Sequence, residues 1–212
     1  MSFNIWAVGR NYSEHMRELN TTPAQPAQYP MIFLKAGSAL VKDGESFSLP
    51  AFTQDIHHEV EIALRFAKDA KGELKIDAFT IGLDLTAREV QDTLKAARHP
   101  WTLAKSFKNS APMGNWHVLP RVAEPSEHPE LQNLSFSLHV NDELRQSGSV
   151  TDMIFSMQVV CDYLRQNFPV EAGDVVMTGT PAGVSKIKPH DILKAEIKNY
   201  LKAQWSVKGS NA

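Results

Sequence analysis

The chain has 212 residues, 42% of them hydrophobic and 22% charged, with a formal net charge of −2; this is ordinary for a globular protein with a substantial core. So small a charge, with no basic block and scattered aromatics, argues against a nucleic-acid-binding surface, and no apolar run approaches the roughly 18 residues that cross a bilayer. The single cysteine, Cys161, cannot form an internal disulfide, and the expectation is a cytoplasmic protein with neither membrane nor nucleic-acid partners.

Residues 1–10 have no charged segment followed by a long apolar one, as a secretory signal would, and read as a first strand running into a turn. Residues 12–20 form a short helical pattern, with Met16 and Leu19 three apart. Residues 21–29, with Pro23 and Pro26, read as a loop that gives this helix freedom to move. Alternation over 57–64 predicts a strand. An apolar strand ends near Asp84, and a helix is expected over 86–98. It opens with the capping-box pattern Thr86-x-x-Glu89 and stops before Pro100. Phe136, Leu138 and Val140 alternate with polar residues, and Asn141-Asp142 is a turn centre. A third helix over 153–166 puts Met153, Met157, Val160, Cys161 and Leu164 on one stripe, which makes Cys161 a small buried hydrophobe. Further strands are expected at Val175–Met177, Ile192–Ile197 and 200–207, with Lys198-Asn199 as a turn. Strands outnumber helices, so the fold class is β-rich mixed α+β.

The stretch His57-His58-Glu59-Val60-Glu61 carries the most chemical information. On a strand, Glu59 and Glu61 project to one face while Val60 and Ile62 point to the other. Two adjacent carboxylates repel unless a hard cation such as Mg²⁺ joins them; the same spacing also describes a solvated edge face. Asp84, at an apolar strand end, is a third candidate ligand or a helix cap. Zinc is less apt, because no His-Glu-x-x-His and no cysteine pair is present. His57 and His58 point to opposite faces, so at most one faces such a metal. His15 and Glu18 are three apart and share a face if helical, which suits a carboxylate that orients an imidazole base. Lys105 follows the apolar Trp101-Thr102-Leu103-Ala104, which suggests an enclosed ammonium. Arg88, in the first turn after Asp84, is placed for an ion pair with it. Residues 179–183 could present backbone N–H groups and the Thr180 hydroxyl to a carboxylate. No G-x-S-x-G elbow is present.

These motifs, taken in order, resemble the fumarylacetoacetate hydrolase family. They are Val8-Gly9-Arg10-Asn11-Tyr12-x-x-His15-x-x-Glu18, His57-x-Glu59-x-Glu61, Leu83-Asp84-Leu85-Thr86-Ala87-Arg88-Glu89-Val90-Gln91, Trp101 to Phe107, and Gly173 to Pro181. The likeness is best to the short, single-domain acylpyruvate hydrolase and oxaloacetate decarboxylase branch. It implies one catalytic domain over 1–212 with a rolled central sheet, few peripheral helices, a mobile lid around 11–29, and assembly as a homodimer. It further implies Mg²⁺, or Mn²⁺ or Ca²⁺ in its place, on Glu59, Glu61 and Asp84. His15 and Glu18 become a catalytic dyad, Lys105 a stabiliser of developing enolate charge, and Arg88, Gln91 and Thr180 substrate contacts. The implied substrate is a small 2-oxo acid. The first expectation is hydrolytic C–C cleavage of an acylpyruvate, with water activated by His15. Oxaloacetate decarboxylation, oxaloacetate keto–enol tautomerisation, isomerisation or decarboxylation of aromatic-degradation diacids, and a non-catalytic binding protein are the alternatives. The chain departs from the family pattern at Lys35-Ala36, where many members have Lys-Pro, and at Ser185 and Asn199, where glycine is common.

Overall fold

The computed structural model describes residues 3–18 and 27–209. Among them the chain folds as a mixed α+β protein with few helices, and its main sheet curls strongly on itself. That eight-stranded sheet runs in the order Met31–Ala36, Asn4–Gly9, Val175–Met177, Val60–Lys68, Leu74–Leu83, Ala111–Met113, Leu40–Lys42, with His117–Ala123 also paired to Leu74–Leu83. Its pairings are antiparallel except Asn4–Gly9 with Val175–Met177 and Leu40–Lys42 with Ala111–Met113. A second, five-stranded sheet comprises Glu143–Ser149, Ser135–Val140, Ile192–Ile197, Leu201–Val207 and Ser46–Phe47. A small third sheet joins Ser185–Lys186, Ile56–His58 and Thr86–Ala87.

Strand periodicity places the core. Val60, Ile62, Leu64 and Phe66 face one side of the main sheet and pack with Phe79, Ile81, Phe136, Leu138, Leu193 and Trp205 between the two large sheets. The alternate residue Ala63 faces the other side, in a smaller cluster with Ile5, Ala7, Val175 and Met177. Glu61 has the parity of Ala63, so the apolar drive that buries Ile62 presents Glu61 on the opposite face.

The helices are α1 (Ser13–Glu18), α2 (Arg88–Ala96), α3 (Thr102–Lys105) and α4 (Met157–Asn167). In α4 Met157, Val160, Cys161 and Leu164 are buried as expected. The helix starts four residues later than the sequence suggested, because the Ser156 hydroxyl accepts from the Val159 N–H as its cap and Met153 instead bridges to Tyr12. Of the expected lid region 11–29, residues 19–26 lie outside the described residues.

Two expected turns are present. Asn141 and Asp142 both have positive φ, 52° and 66°, the requirement of a tight type I′ hairpin. Asn199 has φ 68°, a conformation that glycine adopts freely and asparagine tolerates, which explains how it can stand where the family often has glycine.

Candidate active site

Glu59 lies where the chain leaves the small sheet at His58 and enters the main sheet at Val60. The expected continuous strand is therefore two strands, and Glu59 occupies the joint between them. Asp84 follows directly on Leu83, the last residue of the strand paired with Val60–Lys68, and its N–H donates to the Glu59 carbonyl at 2.8 Å. This brings Asp84 beside the two glutamates. One carboxylate oxygen from each of Glu59, Glu61 and Asp84 lies within 4.8 Å of the others, and all three side chains are buried.

Three cations hold this acidic group together. Lys105 Nζ donates to Glu59 Oε2 at 2.7 Å, to Thr86 Oγ1 at 2.6 Å and to Asp84 Oδ2. Lys35 Nζ donates to Asp84 Oδ1 at 2.6 Å, to the Leu85 carbonyl at 3.2 Å and to the Lys105 carbonyl. An ammonium has three donors, so both lysines are saturated within the site. Arg88 pairs with Glu59 and donates to Gln91 Oε1 at 2.8 Å, which corrects the expected pairing with Asp84. The correction follows from α2 starting at Arg88, after a short strand at Thr86–Ala87, so that the guanidinium reaches across to the strand joint. The Nε of Arg88 is buried without a partner among the described residues.

The electrostatics are uneven. Burial would push the Glu59 carboxyl up, but Lys105 and Arg88 outweigh it and hold Glu59 well below the usual carboxylate range. For Glu61, burial and repulsion from Asp84 and Glu59 act together and push it well above, although the Gly179 N–H donates to it at 2.7 Å. Burial would lower Lys105, and the carboxylates of Asp84 and Glu59 raise it instead. Lys35 is lowered because burial exceeds the attraction of Asp84. A buried carboxyl repelled by two neighbours, with oxygen donors alone around it, fits a hard divalent cation of the Mg²⁺ or Mn²⁺ type and not a thiophilic one.

The expected capping box does not form. Thr86 Oγ1 takes the Lys105 ammonium, Ala87 is the N-cap, and Glu89 accepts instead from Thr53 Oγ1 at 2.6 Å. Neither His57 nor His58 contacts the carboxylates. His57 Nε2 bonds Asp55 at 3.1 Å, whereas His58 bonds Gln146 and Ser185, both at 2.8 Å. Gln146 Oε1 already accepts from the Val60 N–H and its amide donates to Thr180 Oγ1 at 2.8 Å. That fixes His58 with its proton on Nδ1 and its Nε2 accepting from Ser185. Thr180 is thus oriented through Gln146 and lines the same cleft as the carboxylates.

His15 is buried on α1 and lines that cleft too, with Nδ1 3.3 Å from Glu18 Oε2. The other Glu18 oxygen accepts from the Gly183 N–H at 3.0 Å, tying α1 to the 179–183 loop. Asn11 makes a second tie: its amide donates to the Thr178 carbonyl at 2.8 Å and its Oδ1 accepts from the Phe155 N–H at 2.7 Å. Gly179, at φ 101°, lies so close that an added Cβ would come within 2.7 Å of the Asn11 Cβ, so glycine is required there.

The structure therefore gathers His15, Glu59, Glu61, Asp84, Arg88, Gln91, Lys105 and Thr180 around one small cleft, walled by Met31, Phe33 and Trp101. Lys35 and Asn11 were not singled out as site residues from the sequence. A lysine inside the apolar run of Met31–Ala36 was the available signal, because a fully buried lysine is nearly always paired.

The chain is similar to known proteins over almost its whole length. The family model "Fumarylacetoacetate (FAA) hydrolase C-terminal" matches residues 4–207. The chain is 38% identical over 210 residues to the mitochondrial oxaloacetate tautomerase FAHD1 of Bos taurus, covering 96% of this chain and 91% of that protein. Among solved structures it is similar to fumarylpyruvate hydrolase from Pseudomonas aeruginosa in complex with Mn²⁺ and pyruvate, with TM-score 0.82, 27% identity, and 97% and 89% of the two chains covered. It is also similar to 5-carboxymethyl-2-hydroxymuconate delta-isomerase from Mycobacterium smegmatis, with TM-score 0.77, 27% identity, and 99% and 80% covered.

Proposed function

Because this chain belongs to the fumarylacetoacetate hydrolase family, we propose that it is a Mg²⁺-dependent enzyme that enolises small 2-oxo acids, with oxaloacetate keto–enol tautomerisation as its activity. The observation that carries this reading is the buried carboxylate trio sharing one cleft with the His15–Glu18 pair. A divalent cation held by Glu59, Glu61 and Asp84 would supply Lewis-acid polarisation of the 2-oxo group, which makes the adjacent C3 protons acidic. The chain's own groups do the rest. Glu18 holds His15 through Nδ1, which leaves Nε2 to take a proton from C3 and pass it to the 2-oxo oxygen, giving the enol, and to carry it back in the reverse direction. Arg88 Nε, buried and unpartnered, is a donor available to the substrate carboxylate. Thr180, fixed by Gln146, offers its hydroxyl from the opposite loop. Lys105 and Lys35 set the charge of the trio, and with all their donors engaged they act on the carboxylates before they act on substrate. Met31, Phe33 and Trp101 keep the cleft wall dry, which strengthens every charge interaction inside it.

A second reading, hydrolysis of acylpyruvates, is favoured by the same dyad, since a carboxylate-held imidazole can equally activate water. It is also supported by the likeness to a fumarylpyruvate hydrolase. The experiment is a spectrophotometric panel with and without Mg²⁺, using enol- and keto-oxaloacetate, acetylpyruvate and fumarylpyruvate. Metal-dependent interconversion of the oxaloacetate forms, without CO₂ loss, supports the first reading. Purified protein that binds no divalent metal and turns over none of the panel overturns both. Homodimeric assembly belongs to the same proposal and is tested by sedimentation. Among the described residues no helix is long and apolar enough to cross a membrane.

A further inference from the structure

The strand Glu143–Ser149 buries one side chain, and it is a polar one. Gln146 is 1% exposed, whereas the apolar Leu144, two residues before it, is 55% exposed. Residues two apart share a face on a regular strand, so this reversal has a local cause. Leu138 of the neighbouring strand pairs with Gln146 and His139 pairs with Leu144, which leaves Arg145 as an extra residue in a β-bulge. Such a bulge re-aims a side chain. Here it leaves an apolar group in solvent and turns an amide inward, the opposite of what the burial of apolar surface favours.

The buried amide is saturated. Its Oε1 accepts from the Val60 N–H at 3.0 Å and from His58 Nδ1 at 2.8 Å, and its Nε2 donates to the Pro181 carbonyl at 2.9 Å and to Thr180 Oγ1 at 2.8 Å. The Val60 N–H and the Pro181 carbonyl are backbone groups that cannot exchange roles, so the amide cannot be turned over. Thr180 Oγ1 must therefore accept from Gln146. Its own proton has no acceptor among the described residues and is left for the cleft that Thr180 lines. Behind Gln146 stands His58, whose Nδ1 has to donate, and behind His58 stands the Ser185 hydroxyl, 2.8 Å from Nε2. The glycine common at that position in the family would offer no such hydroxyl.

Resting on the 2-oxo acid reading above, we propose that Gln146, backed by His58 and Ser185, is a positioning residue that makes the Thr180 hydroxyl an obligatory donor to the ligand. None of the three is among the residues that line the cleft; each acts through the next. A free hydroxyl rotates to donate or accept as its partner requires. This one offers only its proton, and so selects a ligand oxygen that carries lone pairs and no hydrogen.

The test is calorimetric titration of oxalate, all of whose oxygens are acceptors, into the Mg²⁺-loaded full chain. Thr180→Val should lower oxalate affinity by about tenfold or more, and Thr180→Ser, which keeps the hydroxyl, should hold it within about threefold of wild type. Gln146→Met, close in volume, should lower it by about threefold or more. The Gln146→Met/Thr180→Val double variant should bind within about twofold of Thr180→Val alone, because the two residues act as one chain. Mg²⁺ affinity measured without oxalate should stay within about threefold throughout. Losses that multiply in the double variant, or a loss of Mg²⁺ affinity that matches the loss of oxalate, overturn the proposal. Nitrogen NMR of histidine-labelled wild type needs no change at Gln146: the His58 ring should carry its proton on Nδ1, and Ser185→Ala should shift the Nε2 resonance. A neutral ring with its proton on Nε2 refutes the chain. If the wild type binds Mg²⁺ and no oxalate, the 2-oxo acid reading fails and this proposal falls with it.

Discussion

Replacing Lys35 by methionine tests how the acidic cluster is held. The side chain is fully buried, and its ammonium serves Asp84 Oδ1 and two backbone carbonyls at once. Methionine keeps most of the volume, so packing changes little. What is lost is one of two countercharges of a buried carboxylate, Lys105 being the other, and removing one partner of a buried pair costs at most about 3–5 kcal/mol. Part of the backbone loss is spared, because the Lys105 carbonyl still accepts from Ser110 Oγ at 3.0 Å. At roughly 2–4 °C per kcal/mol for a chain of this size, Tm in the presence of EDTA should fall by at most roughly 6–20 °C. Added Mg²⁺ should recover part of that loss, because a cation at the trio restores positive charge beside Asp84. A double-mutant cycle with Asp84→Asn separates pairing from packing, since the double variant removes both charges and should be less destabilised than the sum of the singles. Additive effects, or a Tm change of less than about 2 °C for Lys35→Met alone, would refute the pairing.

Four other outcomes are expected. Glu59→Gln and Asp84→Asn should each weaken Mg²⁺ binding by about tenfold or more in calorimetry. His15→Ala should lower kcat by about 10² to 10⁴ while leaving the Mg²⁺ affinity near wild type; an unchanged kcat would remove His15 from the chemistry. Gly179→Ala should destabilise the fold and loosen Glu61, read as a lower Tm together with weaker metal binding, since φ 101° and the nearby Asn11 both exclude a Cβ. His58 supplies a pH dependence. Burial pushes it down from 6.5 to about 4, so its contribution is fully present above pH 6.5 and is lost as the pH falls toward 4. The whole contribution amounts to about 3 kcal/mol, and denaturant titrations of His58→Gln between these pH values should show a correspondingly flatter profile.

Much of the site could be read from residue spacing, and what escaped has identifiable physical causes. Glu61 and the burial of Val60, Ile62 and Leu64 follow from period-two alternation, which needs no knowledge of the neighbours. Glu59 was assigned to the same strand, yet the chain breaks there because Ile56–His58 pairs with Thr86–Ala87 and Ser185–Lys186, segments distant in sequence. Local pattern cannot see such partners. The capping-box pattern failed for a related reason: the Thr86 hydroxyl is more strongly drawn to a buried ammonium than to a helix N–H. That ammonium belongs to Lys105, nineteen residues on. Lys35 shows the limit from the other side. In the sequence it was visible only as part of a departure from Lys-Pro, whereas its three bonds all reach residues at least 49 positions away.

The pairing of Glu59 and Asp84 by three internal cations has a consequence for how the protein would take up a divalent ion. In small zinc domains the ion supplies folding free energy, and stripping it unfolds the chain. Here Lys105, Lys35 and Arg88 already pair with Glu59 and Asp84, and Glu61, pushed up by burial and by its two neighbours, can hold a proton, so the chain can reach its folded form before any ion arrives. Loading then becomes an exchange on a finished scaffold. A chelator should silence the protein and leave it intact, and returning the ion should restart it without refolding.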